Sequence, residues 1–152
     1  MTDSPAHLLG RAIAIAATAH QHQLDKAHSP YILHPLRLML RGRTVTEQIV
    51  AVLHDVVEDS DWTLEQLAAE GFSAEVLGAI ASLTHHPEES YEQFIDRVLL
   101  NPLATQVKLY DLEDNMTLTR LSSLSEKDLA RLQRYHKAHQ RILLTLQEQQ
   151  SA

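Results

Sequence analysis

The sequence predicts an all-α fold of about seven or eight helices, and three observations carry that reading. Apolar residues recur with helical spacing from end to end, and no segment alternates with period two for long enough to make a strand. Hydrophobic residues are 44% of the chain but aromatics only 5%, an aliphatic mix suited to helix packing. Four glycines and five prolines in 152 residues leave little turn material for an all-β architecture.

The elements follow in order. Ser4 before Pro5 is a cap with proline at the first helical position, opening a helix that runs to about His22. "KAHSPYI" reads as loop, because the residue before Pro30 is biased toward extended backbone. "HPLRLMLRG" reads as a short helix with Pro35 in its first turn and Gly42 at its end. Thr46 is the expected cap of "EQIVAVLHDVVED", read as one helix. Thr63 with Gln66 forms a capping-box pattern before "LEQLAAEG", which Gly71 stops. Ser73 begins "AEVLGAIASLTH", and "SYEQFIDRVLL" is a further amphipathic helix. Asn101-Pro102 precedes "LATQVKLYDLEDNMTLTRL", and Ser125 opens a long C-terminal helix. No repeat, low-complexity tract or linker divides the chain, so residues 1–152 read as one domain. At this length it buries about two-thirds of its unfolded surface.

Composition also narrows function. Without cysteine there is no disulfide and no thiolate metal site, which fits a reducing compartment. A net charge of −7 with no basic run argues against a nucleic-acid partner, since phosphate-backbone affinity needs clustered Lys and Arg. No apolar run approaches the roughly 18 residues of a membrane span. The N-terminal "MTDSPAHLLG" lacks the features of a signal peptide, so no membrane association and a cytoplasmic location are expected. Ten histidines are many for this length.

Some of them fall where a helix should be packing. In "AVLHDVVEDS", Ala51, Val52, Leu53, Val56 and Val57 suit a core, yet His54, Asp55, Glu58 and Asp59 share the same two turns. "YILHP" adds His34, "KLYDLEDN" adds Lys108, Asp111 and Asn115, and "HQHQLDK" adds Lys26. Positions i and i+4 of a helix project to one side, which pairs His54 with Glu58, Asp55 with Asp59 and Asp111 with Asn115. Two imidazoles with carboxylates suit a divalent ion such as Mn²⁺, Fe²⁺ or Zn²⁺. Such an ion acidifies its water and polarises a phosphoryl oxygen, and a carboxylate beside it can orient or deprotonate that water. Spacing alone leaves a second reading open, in which these are ordinary helix-surface pairs and His34 is a loop histidine satisfied by backbone.

Taken together, "AHQHQLDK…PYILHP", "VAVLHDVVEDS" and "VKLYDLEDNM" resemble, in order and spacing, the HD-domain phosphohydrolases. Within them the likeness is to the hydrolase domain of the RelA/SpoT alarmone enzymes and their small single-domain relatives. The resemblance implies that His34, His54, Asp55 and Asp111 hold one divalent metal, most often Mn²⁺. It places Glu58 and Asp59 near the attacking water, Lys26 on the nucleotide and Asn115 along the ribose; Lys108 joins these as a substrate-facing group. The implied reaction is release of the 3′-pyrophosphate of guanosine-3′,5′-bis(diphosphate).

The departures from the family pattern concern recognition. Asp25 stands where the alarmone hydrolases usually carry arginine, and His28 where glycine is common. Leu112, Thr117 and Leu118 replace residues of their last motif. Two alternatives therefore stay beside the alarmone hydrolase: an HD-type hydrolase of another nucleotide phosphate or pyrophosphate ester, and a nucleotide-binding module with little turnover.

Other polar residues have plainer expectations. His20 and His22 read as helix-end imidazoliums facing the dipole. His85 and His86 read as solvated loop, and His136 and His139 as surface residues. Arg37 and Arg41 are either solvated or phosphate-facing, Tyr31 packs near the site, and Trp62 covers a helix end. Leu129, Leu132, Ile142, Leu143 and Leu146 serve equally for core or for homo-oligomer packing.

Overall fold

The computed structural model describes residues 3–151, and among them it contains nine α-helices, one 3₁₀ turn and no strand. The helices are α1 (Pro5–Ala19), α2 (Leu33–Arg41), α3 (Val45–Leu53), α4 (Val56–Asp59), α5 (Leu64–Ala69), α6 (Ala74–Leu83), α7 (Tyr91–Leu99), α8 (Pro102–Asn115) and α9 (Glu126–Ser151). The extra helix comes from the segment expected to be one: "EQIVAVLHDVVED" breaks into α3 and α4, with His54 and Asp55 in the step between them.

Local chemistry sets most boundaries. The side chains of Ser4, Thr63, Ser73 and Asn101 each accept a backbone N–H at the start of a helix, as their types predict. Ser90 and Gln93 add a second capping box before α7. The cap of α3 is Thr44 rather than Thr46: its hydroxyl accepts from Glu47 N, and helical geometry begins at Val45. Gly71, at φ +102°, turns the chain after α5.

Two helices end earlier than spacing suggested. α1 stops at Ala19 because His20 caps it and folds into the protein. α8 stops at Asn115, and the "LTR" that follows closes into the 3₁₀ turn Leu118–Arg120.

α3 is the hub and packs against α1, α2, α6 and α8. Its residues Ile49 to Leu53 are all buried, which is what a helix enclosed on every side requires. Leu53 is fully buried, contributing about 1.5–3 kcal/mol, and it anchors the chain immediately before the His-Asp doublet. α8 is the second central helix, in contact with α2, α3, α6, α7 and α9. On α9 only Ala138 and Ile142 are buried; Leu146 leans on the core and Leu129 stays exposed. No described helix is long and apolar enough to cross a membrane. The C-terminal end of α3, the first turn of α2 and the middle of α8 thus meet in the interior.

Candidate active site

Three ionisable side chains come together at that junction. His34 from α2, His54 after α3 and Asp111 from α8 are all buried, and each offers one ligand atom within 4.8 Å of the others. His34 Nε2 lies 2.9 Å from Asp111 Oδ1. His54 Nε2 lies 3.5 Å from the same oxygen and 3.0 Å from Asp55 Oδ2. Yet His54 Nε2 makes a well-formed hydrogen bond with neither, leaving a buried nitrogen without a partner. Its other nitrogen is fixed: Nδ1 is 2.7 Å from the Ala51 carbonyl, which can only accept, so Nδ1 carries the proton. Nε2 therefore points at the carboxylates, where a proton or a cation can sit between them. A cation satisfies that arrangement, with soft-to-borderline nitrogens and hard oxygens around one point.

The surroundings hold the carboxylates ionised. Lys108 Nζ donates to Asp111 Oδ2 at 2.8 Å and Asn115 Nδ2 to Oδ1 at 3.0 Å. Burial opposes the charge of Asp111, but Lys108, His34 and His54 outweigh it and hold the group well below the usual carboxylate range. Asp55 is likewise opposed by burial and brought down to about 2 by His54, with the Tyr31 hydroxyl donating to Oδ2. For His34, burial is outweighed by Asp111 and Asp114; for His54, by Asp55 and Asp111. Both imidazoles are held above the ordinary histidine value.

These directions fix a pH dependence. Protons and a cation compete for the same nitrogens, and raised pKa values favour the proton as pH falls. Divalent-ion affinity is expected to fall as pH falls, beginning above the ordinary histidine value, with protons released on binding. Calorimetry in buffers of different ionisation enthalpy measures that release; affinity that stays flat as pH falls contradicts it.

One cavity opens on this centre and a second adjoins it through Tyr31 and Asn115, which bond Asp55 and Asp111. The adjoining one, of about 280 Å³, is lined by Lys26, Tyr31, Asn115, Leu118 and Arg120 among others, so it offers cations beside apolar walls. The one on the centre, of about 390 Å³, is lined by His54, Asp55, Glu58, Tyr91, Lys108 and Asp111 among others. Glu58 is exposed here, its Oε1 accepting from His85 N at 2.7 Å. Asp59 is exposed and is not among the residues lining either cavity; partial desolvation, Asp55 and Glu58 push it up to about 6.

Lys26 sits in a loop built by its neighbour. Asp25 Oδ1 accepts from both Ala27 N and Ser29 N at 2.9 Å, and His28 holds a left-handed backbone at φ +64°. Asp25 is therefore a turn-former, and the position where the family favours glycine keeps glycine's backbone geometry.

The structure changes several expectations. His20 is not a solvated imidazolium: it is 1% exposed, burial lowers its pKa, and its Nδ1 meets Gln23 Oε1 at 2.8 Å. Gln23 in turn donates to the Asp59 carbonyl, tying the loop to α4. Lys108, grouped with the substrate-facing residues, lines the larger cavity and at the same time donates to Asp111. Arg37 and Arg41 are not free, since they pair with Asp114 and Glu113. His139 bonds Glu113, while His85 and His86 are exposed as expected. Sequence reasoning passed over Asp114 and Tyr91. The former had a signal, lying three residues after Asp111 as Arg37 lies three after His34. The Tyr91 hydroxyl is buried without a hydrogen-bond partner, which no sequence pattern announces.

Comparison with known proteins agrees with this architecture. No protein-family model matches the chain. It is 32% identical over 86% of its length to a probable guanosine-3′,5′-bis(diphosphate) 3′-pyrophosphohydrolase of Synechocystis, covering 19% of that protein. It is 31% identical over 70% of its length to the Aquifex aeolicus enzyme of that name, covering 17% of it. It is 35% identical over 53% of its length to the human pyrophosphohydrolase MESH1, covering 49% of that protein. The chain thus spans about a fifth of the longer curated relatives and about half of the human one. A solved structure, described as a metazoan ortholog of SpoT that hydrolyzes ppGpp, superposes with a TM-score of 0.74 at 20% identity. That match covers 96% of this chain and 95% of the other.

Proposed function

We propose, from the premise that the chain belongs to the HD-domain family of RelA/SpoT-type hydrolases, that it is a metal-dependent phosphohydrolase. Its substrate is a purine nucleotide carrying a 3′-pyrophosphate, guanosine-3′,5′-bis(diphosphate) foremost, and residues 1–152 form one catalytic unit. The observation that supports this best is the buried meeting of His34, His54 and Asp111 beside a cavity that Glu58 lines. These three with Asp55 would hold the cation, which this reading takes as Mn²⁺ for a mixed imidazole and carboxylate set. When bound, it supplies Lewis acidity toward a phosphoryl oxygen and lowers the pKa of water.

The chain's own groups do the rest. Glu58, tethered by its acceptance from His85 N, takes the proton of the attacking water. The water oxygen bonds to phosphorus as the bond to O3′ breaks, and O3′ becomes the nucleoside hydroxyl by taking up the proton Glu58 accepted or one from solvent. Lys108 and Asn115 keep Asp111 charged and oriented. Lys26 presents its ammonium to the nucleotide from the rim of the smaller cavity, and Tyr31 holds Asp55 in place.

A second reading keeps the chemistry and changes the base or phosphates. Asp25 is occupied in its turn and Leu112 is fully buried, so neither supplies the recognition that the family's arginines give. The test is release of phosphate and pyrophosphate from a panel of 3′-, 2′- and 5′-phosphorylated nucleosides, with Mn²⁺ and with chelator. Pyrophosphate from the guanosine 3′-diphosphate in Mn²⁺ alone is the expected result. No turnover of any 3′- or 2′-phosphorylated nucleotide defeats both readings.

A further inference from the structure

The geometry points to Asp114 as a positioning residue: braced by Arg37, it fixes the tautomer and direction of His34 so that Nε2 faces Asp111 and His54. This rests on the reading of His34 as a metal ligand, and the tautomer itself is measurable without any metal.

Two helices make the arrangement with matched spacing. α2 presents His34 and Arg37, and α8 presents Asp111 and Asp114, each pair three residues apart and so on one face. His34 spans the two carboxylates, with Nε2 2.9 Å from Asp111 Oδ1 and Nδ1 2.6 Å from Asp114 Oδ2. An ionised carboxylate only accepts, so each contact is an N–H donation while the ring carries two protons; when it gives one up, the shorter contact to the Arg37-clamped Asp114 keeps the remaining proton on Nδ1 and frees Nε2. Asp114 cannot swing away. Arg37 Nε donates to Oδ1 at 2.8 Å and Nη2 to Oδ2 at 2.9 Å, a two-pronged grip that matches the carboxylate plane. Arg120 adds a bond from Nη2 to the Asp114 carbonyl at 3.1 Å. The His34 and Asp114 side chains are 6% and 10% exposed, so water offers Nδ1 little alternative.

The same lock exists on the other imidazole in a different material. His54 Nδ1 is held by the Ala51 carbonyl, and His34 Nδ1 by Asp114. Both rings are thereby aimed with Nε2 into the cluster. One lock is main chain and beyond mutation; the other is a side chain. With both oxygens engaged by Arg37 and one also by His34, Asp114 is no ligand itself. It acts through the ring, as carboxylates behind metal-bound imidazoles do.

The test uses the full chain and Mn²⁺ alone. In ¹⁵N-labelled, metal-free protein at alkaline pH, His34 is expected as the Nδ1–H form; D114A shifts it toward Nε2–H. By calorimetry D114A weakens Mn²⁺ binding about 10–100-fold. D114N, whose amide oxygen still accepts from Nδ1–H, retains the tautomer and loses less affinity. Thermal melting of each metal-free variant reports folding. Where D114A does not fold, D114N and Arg37→Gln carry the measurement, Arg37→Gln weakening binding by releasing Asp114. An Nε2–H tautomer at His34 in the wild type overturns the proposal. So does Mn²⁺ affinity within about twofold of wild type in every folded variant. A wild type with the Nδ1–H tautomer that binds no divalent ion defeats the metal reading and leaves the positioning of the ring established.

Discussion

Asp111→Ala is expected to lose activity and stability together. The carboxylate it removes is the one that both imidazoles and Asn115 address, so the site loses its cation and about 10³-fold or more in rate; metal catalysis supplies several kcal/mol at 1.36 kcal/mol per tenfold. The stability loss has a separate origin. Lys108 is 9% exposed, and its Nζ pairs with Asp111 Oδ2 at 2.8 Å. Alanine strands that ammonium in the interior, where an unpaired charge costs about 3–5 kcal/mol. The face of Phe94, 5.1 Å away, recovers only a fraction. Denaturant melts of metal-free protein separate the two effects. D111A should be strongly destabilised, and Lys108→Met combined with D111A should regain much of the loss without regaining Mn²⁺ binding. A single variant as stable as the wild type would show that water reaches the pair.

Glu58→Gln is expected to lower kcat about 10²–10⁴-fold while Mn²⁺ affinity stays within about twofold. Glu58 stands outside the buried cluster, and its one side-chain hydrogen bond among the described residues is from the His85 backbone N–H, which a glutamine carbonyl can still satisfy. The substitution removes a proton acceptor and little else, so turnover and metal binding should part company. Equal loss of both would make Glu58 a ligand. Unchanged kcat would pass the role to Asp59, whose carboxylate makes no hydrogen bond among the described residues.

Much of the fold was readable because helix ends are local. A serine or threonine at the cap and a glycine at the stop announce themselves within four residues. The misses share a cause, a preference overridden by packing. Nothing near His20 says that it turns inward, because its burial depends on Tyr31, whose ring lies 5.0 Å away across the loop. The continuous pattern over residues 47–59 hid the break at His54 and Asp55, whose side chains turn to α2 and α8. In the site, His34, His54 and Asp111 were visible as residue types the helices did not need. The pairings around them were not, since Arg37 on Asp114 and Tyr31 on Asp55 are contacts between segments distant in sequence.

The loop that carries Lys26 has a consequence for how substrate preference can change in this chain. Asp25 is the bracket of that loop, and His28 pays about 1 kcal/mol in backbone strain to close it. An arginine introduced at position 25 to grip a guanine would release Ala27 and Ser29 at the same stroke. A glycine at position 28 would ease the backbone and slacken the whole segment. On the proposed reading, base selectivity and loop order would be coupled through one carboxylate, and retuning the protein toward a new nucleotide would call for redesign of the segment as a unit.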